Sequence, residues 1–213
     1  RGAETSRDPW VYNYSKHTLA ENMQSMINVY NEHLTRYSHV FDECSTRTEA
    51  DKKARDLAEK DQKKIKWTSG LYTDFSNGKS ANYFDQDITV GLYRPFSKQQ
   101  FYYSRQFIHR YKENLYPTVN HENLMITTPG NGGSKMFSAL VLNLIPDLNI
   151  QEAGSQCFPF YWYEKAERIE QNQAADLFAN TEQPDEYGYV RREAITDWVL
   201  HEFRKKYHDD SIT

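Results

Sequence analysis

An amphipathic helical pattern near the start of the chain is the feature that most constrains its fold. Apolar residues recur there at intervals of three and four, which predicts a helix over residues 15 to about 37. The stripe consists of Leu19, Met23, Met26, Ile27, Tyr30 and Leu34. One face of this helix is therefore expected to be buried.

A second, heavily charged segment continues the helical pattern. Thr48 followed by Asp51 resembles a capping box at its start. Its apolar stripe is Ala50, Ala54, Leu57, Ala58 and Ile65. Because this face is thin and rich in alanine, it is typical of a solvent-flanked spacer or an antiparallel helical hairpin. We expect residues 1–75 to form a helical region.

The pattern changes after Ser76, where Asn77-Gly78 and Gly91 punctuate short β-branched or aromatic runs. The runs that predict strands are residues 88–93, 101–103, 124–128 and 158–163. Residues 137–144 fit either a short helix or a buried strand, and residues 166–180 fit a weak helix or a loop. Residues 190–207 predict a final helix, packed through Trp198 and Phe203. The expected fold class is α+β, with an N-terminal helical hairpin or spacer followed by a mixed α/β domain.

Composition excludes several classes of protein. The chain has 213 residues, and its apolar runs are far shorter than the roughly 20 residues that span a bilayer. Cys44 and Cys157 lie far apart without a neighbouring Cys or His pattern, so neither a disulfide framework nor a zinc site is expected. A reducing cytoplasm fits this cysteine usage best. The 31 aromatic residues, 15% of the chain, are ample for a core.

The net charge of −4 hides a basic segment in the middle of the chain. Residues 93–117 contain one acidic residue, Glu113, and five cations: Arg94, Lys98, Arg105, Arg110 and Lys112. They alternate with rings at Tyr93, Phe96, Phe101, Tyr102, Tyr103, Phe107, Tyr111 and Tyr116. Cations and rings at this density are suited to phosphate contact and base stacking. The alternative is a half-buried hairpin whose rings belong to the core and whose cations are solvated.

The motifs of common catalytic sites are missing from the sequence. The glycine-rich loop from Gly130 to Lys135 differs from a phosphate-binding P-loop, because Ser134 precedes the lysine and no hydroxyl follows it. It is expected to be a turn or a contact loop. Pro146-Asp147 lacks the second carboxylate and lysine of a nuclease cluster, and no helical zinc pair or serine elbow occurs. We therefore expect no catalytic residue, metal or cofactor in this chain.

Four stretches resemble one known family. They are residues 5–15, which include Arg7-Asp8-Pro9-Trp10, residues 93–103, residues 156–164, and residues 194–200 together with 210–213. The segment Tyr93-Arg94-Pro95-Phe96 followed by paired tyrosines is the most distinctive of them. Together they resemble the C-terminal region of Type ISP restriction-modification enzymes and their helicase-annotated relatives.

The resemblance implies a role in DNA recognition. In that family one polypeptide joins a nuclease, a translocating motor, an adenine methyltransferase, a helical coupler and a target-recognition domain. The resemblance assigns residues 1–75 to the coupler and residues 76–213 to the recognition domain, which in the family continues past the last residues here. The implied partners are duplex DNA and the upstream methyltransferase and motor domains, with no membrane.

The candidate DNA contacts come from the basic segment and the glycine-rich loop. The expected phosphate contacts are Arg94, Lys98, Arg105, Arg110 and Lys112. Gln99 and Gln100 are candidate base readers, because glutamine pairs bidentately with adenine. The remaining candidates are Tyr102, Asn131 and Lys135. A protein-interaction or spacer module without DNA contact is the competing function, since the last third of the chain is acidic.

Overall fold

The computed structural model describes residues 1–130, 136–167 and 183–211. Its helices are α1 (Asp8–Val11), α2 (Lys16–Asp42), α3 (Arg47–Leu57), α4 (Ser69–Ser76) and α5 (Asp197–Tyr207). Its strands are β1 (Tyr12–Asn13), β2 (Ile88–Arg94), β3 (Ser97–Tyr102), β4 (Met125–Thr128), β5 (Leu140–Leu142), β6 (Ile145–Pro146), β7 (Gln156–Pro159), β8 (Tyr161–Lys165) and β9 (Tyr189–Glu193). The α+β class predicted from the sequence is confirmed.

Helix α2 forms where the apolar stripe predicts it. The Ser15 hydroxyl accepts a hydrogen bond from the Thr18 amide and so caps the first turn. All six residues of the predicted stripe are buried, and Phe41 extends it by two further turns to the end of the helix. The helix is therefore longer than the pattern predicts, and its buried face packs onto the sheet and α4.

The N-cap of helix α3 lies two residues before the predicted cap. Thr46 is the N-cap, and its hydroxyl accepts from the amide of Glu49. The Glu49 carboxylate in turn accepts from the amide of Ser45. The prediction of a Thr48–Asp51 box was wrong, because Thr46 with Glu49 satisfies the same spacing of three. The helix ends at Leu57. Ile65 is buried, but it lies after a turn and not in a continuation of this helix.

Three small sheets follow the helices. The first has the strand order β1-β3-β2-β6, with β6 parallel to β2, and the second has the order β5-β4-β7. The third is the antiparallel pair β8 and β9. The predicted runs at 88–93 and 124–128 match β2 and β4, whereas the run at 158–163 is divided at Phe160 into the ends of two strands. Residues 140–142 form a strand, which decides the alternative left open for 137–144.

The end of the chain differs most from its prediction. Residues 189–193 form β9, and the final helix begins only after Thr196, whose hydroxyl caps Val199. Helix α5 has no buried residue, and Trp198 is 71% exposed. The predicted packing through Trp198 and Phe203 was therefore wrong. The weak helix or loop predicted for 166–180 falls almost entirely outside the described residues.

One hydrophobic core joins the helical part to the first sheet. It contains Leu19 and Met23 of α2, Phe75 of α4 and Phe101 of β3, all fully buried. Strand β1, near the start of the chain, pairs with β3 in the same sheet. The two predicted regions thus share a core. The division near residue 75 into a coupler and a recognition domain stays a prediction.

Candidate nucleic-acid interface

The β2–β3 hairpin carries the most distinctive of the candidate residues. Phe101 stacks on Tyr12 with ring centroids 4.2 Å apart, and its ring also covers Gly91. A Cβ at Gly91 would lie 2.9 Å from that ring, so only glycine admits this close approach. Strand β3 is thereby fixed between β1 and β2, and its turn projects from the sheet.

The turn of this hairpin is exposed and aromatic. Phe96 is 89% exposed and has a positive φ of 64°, a conformation that side chains other than glycine rarely adopt. Tyr14 is 77% exposed, and its hydroxyl lies 3.3 Å from the Ser97 hydroxyl. Lys98 is exposed and makes no ion pair with the described residues. We name Tyr14, Phe96, Ser97 and Lys98 the hairpin tip.

Gln99 and Gln100 lie on opposite faces of the sheet. Side chains alternate along a strand, so Gln99 shares its face with Phe101 whereas Gln100 shares its face with Lys98. Both are half-buried. A single DNA surface can therefore use one of the two glutamines directly, and Gln100 is the one on the side of Lys98.

Most rings of the basic segment belong to the core. Phe101, Tyr102, Tyr103, Phe107 and Tyr116 are buried. Tyr102 is fully buried, and its hydroxyl accepts a hydrogen bond from the Phe84 amide at 3.2 Å. Burial raises the pKa of the Tyr102 hydroxyl. The prediction of Tyr102 as a DNA contact was wrong, because a fully buried ring offers no face to a base.

Arg94 is bound to a buried carboxylate. Its Nη1 donates to Asp147 Oδ1 at 2.5 Å, and its guanidinium lies 4.0 Å from the centroid of the Tyr93 ring. Burial of Asp147 raises the pKa of its carboxyl, and the contact with Arg94 opposes that rise. Arg94 therefore acts first as the counterion of Asp147 and offers only part of its charge to a ligand.

Arg105 belongs to an ionic cluster around Glu113. The Glu113 carboxylate accepts hydrogen bonds from Arg105 and from the Tyr189 hydroxyl at 2.8 Å, and Lys165 lies 3.3 Å away. These contacts, led by Arg105, lower the Glu113 pKa to about 2. The cluster ties the basic segment to β8 and β9, and two cations around one carboxylate leave it with a net positive charge.

Arg110 and Lys112 complete the predicted phosphate contacts. Arg110 pairs with Glu4 at 3.2 Å, and its side chain is exposed. Lys112 is half-buried, and burial followed by the nearby Arg110 lowers its pKa. Three of the five predicted cations thus have a carboxylate partner. Lys98 is exposed and has no such partner among the described residues.

The glycine-rich loop falls largely outside the described residues. Asn131 and Lys135 are among the residues not described, so their predicted contacts stay predictions. Gly130 itself packs closely on the chain, because a Cβ there would lie 2.9 Å from the Gly154 carbonyl oxygen. Met136 and Phe137, on the other side of the loop, are exposed.

The β8–β9 hairpin presents a second group of cations and rings that the sequence analysis did not select. The guanidinium of Arg191 lies 4.4 Å from the centroid of the Tyr161 ring. Trp162 pairs in register with Arg192, which is bound to Glu164 at 2.6 Å. No strand alternation marks this segment in the sequence, because in Tyr189-Val190-Arg191-Arg192 two apolar residues precede two cations. The residues from Val190 onward were predicted to belong to the final helix.

The described residues give no sign of a metal centre or a membrane segment. In residues 1–130, 136–167 and 183–211, no three His, Cys, Asp or Glu side chains are grouped closely enough to hold a metal ion. Within the same ranges no helix has the length and apolarity needed to cross a bilayer. Cys157 is buried, and its burial raises the pKa of the thiol.

Solved structures of DNA-bound proteins resemble this chain. A nuclease-deletion mutant of the Type ISP restriction-modification enzyme LlaGI, in complex with a DNA substrate mimic, is 28% identical over 77% of this chain and 15% of its own, with a TM-score of 0.69. The DrdV–DNA complex is 26% identical over 100% of this chain and 17% of its own, with a TM-score of 0.72.

A third structure is that of the ATP-dependent Type ISP restriction-modification enzyme LlaBIII bound to DNA. It is 29% identical over 94% of this chain and 11% of its own, with a TM-score of 0.68. This chain therefore spans between 11% and 17% of the length of the three proteins. No curated protein sequence is significantly similar to it.

The family comparison covers every residue of the chain. The model of the Type ISP C-terminal specificity domain matches residues 1–213. The resemblance inferred from four short stretches is thus confirmed over the whole length, including the residues between those stretches. This chain belongs to the family of Type ISP C-terminal specificity domains.

Proposed function

We propose that this chain recognises a specific sequence in duplex DNA on behalf of a restriction-modification enzyme. The observation that carries the proposal is the match of all 213 residues to a specificity domain, together with 26–29% identity to proteins solved in complex with DNA. The hairpin tip adds a local reason, because it presents an exposed ring and a lysine that makes no ion pair with any described residue.

The proposed contact surface centres on the hairpin tip and extends to the exposed cations. Lys98 contacts a phosphate, and Gln100, on the same face of β3, reads a base edge. Arg105 and Arg110 contribute weaker phosphate contacts, because Glu113 and Glu4 partly neutralise their positive charges. Arg94, Lys112, Gln99 and the loop residues Asn131 and Lys135 are secondary candidates, and Tyr102 is excluded by its burial.

The catalytic steps of such a restriction-modification enzyme belong, in this proposal, to other parts of the polypeptide. We infer that the chain itself performs no catalytic step and that upstream methyltransferase, nuclease and motor domains use the sequence it reads. A specificity domain of this kind needs positioning contacts and base contacts, and it needs no metal or cofactor of its own.

Selection from a random pool of duplexes tests this function. The intact protein is incubated with the pool, the bound duplexes are sequenced, and the affinity for the enriched sequence is compared with that for a scrambled one. We expect one sequence to be enriched and bound at least about 1000-fold more tightly. If no sequence is enriched from the pool, the proposal is contradicted.

The competing function, a protein-interaction module, is favoured by one observation. Helix α5 buries none of its side chains, and its exposed apolar residues include Trp198, Phe203 and Tyr207. Such a face is typical of contact with another protein surface. The two functions differ in salt dependence, because DNA binding weakens steeply with added salt whereas apolar contact does not.

A further inference from the structure

Arg7 is the least expected buried residue of the structure. It is 1% exposed, yet within the described part of the chain its guanidinium makes a single hydrogen bond, from Nη2 to the Thr68 hydroxyl at 2.8 Å. Its Nε and Nη1 atoms are buried and have no hydrogen-bond partner among the described residues. None of the ion pairs formed by those residues includes Arg7.

A buried guanidinium without a counterion is costly. Burial lowers the pKa of Arg7 to about 10, so the group is still charged at neutral pH. The Phe107 ring, 5.6 Å from the guanidinium carbon, offsets part of this cost but offers no hydrogen-bond acceptor. Arginine rarely stays buried unless its charge is paired, so two unused donors indicate a missing anion.

A cavity adjoins this arginine. It measures about 410 Å³, which is within the range of small-molecule sites, and Arg7 forms part of its wall. The other lining residues are Ser6, Asp8, Pro9, Trp10, Gln62 and Lys66. Lys66 adds a second cation, held by Gln62 at 2.9 Å.

Asp8 is the only carboxylate in the wall, and its oxygens are engaged elsewhere. One oxygen accepts from the Thr5 hydroxyl, and the other accepts from the Tyr93 hydroxyl at 3.3 Å. The lining therefore carries two positive charges and one negative charge. Both positive charges would attract an anion into the cavity. Its contact with Nε or Nη1 of Arg7 requires a small opening of the wall, because both atoms are inaccessible to solvent.

We propose that this cavity binds a phosphate group, with Arg7 as the buried donor and Lys66 as the donor at the rim. Phosphate suits the site because it offers several acceptor oxygens to a planar guanidinium and a lysine. Trp10 supplies an apolar wall beside them. The phosphate comes either from the backbone of DNA or from a free phosphorylated molecule. The proposal does not depend on the DNA-recognition function above.

Thermal unfolding of the intact protein in inorganic phosphate tests the site. A ligand that binds only the folded state raises the Tm as its concentration increases. Phosphate also stabilises proteins without a site, because it is excluded from their surface, but that general effect does not saturate at low concentration. We therefore expect a Tm increase that saturates at low millimolar phosphate, measured against chloride at the same ionic strength. A Tm increase that shows no saturation, or that equals the effect of chloride, would overturn the proposal.

Variants at the rim keep the test independent of folding. Lys66→Gln retains the contact with residue 62 and should raise the phosphate Kd about tenfold, equivalent to the loss of one charged contact. Lys63→Gln is the matched control, because Lys63 is exposed on the same segment and does not line the cavity. Equal Kd values in Lys66→Gln, Lys63→Gln and the unmodified protein would also overturn the proposal.

A second arm identifies the source of the phosphate. If Lys66→Gln weakens binding to a non-specific duplex and inorganic phosphate competes with that duplex, the site holds a backbone phosphate. If duplex binding is unchanged while phosphate still stabilises the protein, the site holds a free phosphorylated molecule. Both outcomes support the cavity. If the unmodified protein binds phosphate but no duplex, the result counts against the DNA-recognition function alone.

Discussion

At the residue scale, the candidate cations differ in how much charge they can offer to DNA. Arg94, Arg105 and Arg110 have the carboxylate partners Asp147, Glu113 and Glu4, whereas Lys98 has none among the described residues. Reversing the charge of Arg105 or Arg110 would place two negative groups together and disturb the fold. Lys98 is therefore the cation whose substitution reports most directly on ligand binding.

Glu113 predicts a specific dependence of stability on pH. Its pKa is lowered from 4.5 to about 2 in the folded protein, so its contribution is present above pH 4.5 and is lost as the pH falls towards 2. Since Arg105 is largely exposed, we expect a contribution of about 1–2 kcal/mol. Urea unfolding of Glu113→Gln and of the control Glu186→Gln between pH 7 and pH 3 measures it. The stability lost on acidification should be smaller in Glu113→Gln alone.

Sequence patterns predicted the burial of single residues best where local periodicity alone determines which residues are buried. The stripe of α2 is buried as predicted, because periodicity alone selects a helical face. The pairing of Arg94 with Asp147 joins residues 53 positions apart, and no local pattern encodes it. The site was for this reason predicted as a group of cations, without the carboxylates that hold three of them.

At the element scale, the β2–β3 turn combines strain with exposure. Phe96 has a positive φ, which costs about 1 kcal/mol for a residue with a Cβ. Phe96→Gly should therefore be more stable than Phe96→Ala by roughly that amount, because glycine adopts this conformation freely. Both variants remove the exposed ring and should weaken DNA binding equally. Equal stabilities, measured by urea unfolding, would contradict the assignment of strain.

Substitution of Trp198 distinguishes an exposed helix α5 from the packed helix that the sequence predicts. Trp198 is 71% exposed, so Trp198→Ala should change the free energy of unfolding by less than about 1 kcal/mol. The packed helix predicted from sequence would lose about 3–5 kcal/mol instead. Chemical denaturation of the intact protein measures the difference, with Phe75→Ala in the buried core as the positive control.

The error in α5 has a physical cause. Residues 190–207 contain apolar residues at helical spacing throughout, and the sequence shows no breaker before Thr196. Residues 189–193 form strand β9 because they pair with β8, whose partner residues lie 24 to 32 positions earlier and are not revealed by sequence periodicity. Tertiary pairing thus overrides a local pattern, as it also does where the run 158–163 divides into two strands.

At the scale of the whole molecule, a shared core predicts cooperative unfolding. Residues of α2, α4 and β3 form one cluster across the predicted boundary at residue 75, and β1 pairs with β3. Circular dichroism of the helices and tryptophan fluorescence should therefore report one coincident transition. Two separated transitions would mean that the helical region and the recognition region are independent domains.

If this chain reads duplex DNA, its affinity for DNA must fall as the salt concentration rises. Binding of the enriched duplex to the intact protein is measured over a range of salt concentrations, for the unmodified protein, Lys98→Gln and the exposed control Lys52→Gln on α3. We predict that Lys98→Gln reduces the slope of log K against log salt by about 0.9 and weakens binding to all duplexes. Lys52→Gln should match the unmodified protein. Identical slopes for the three proteins would remove the hairpin tip from the interface, and binding of the unmodified protein that is independent of salt would contradict DNA recognition itself.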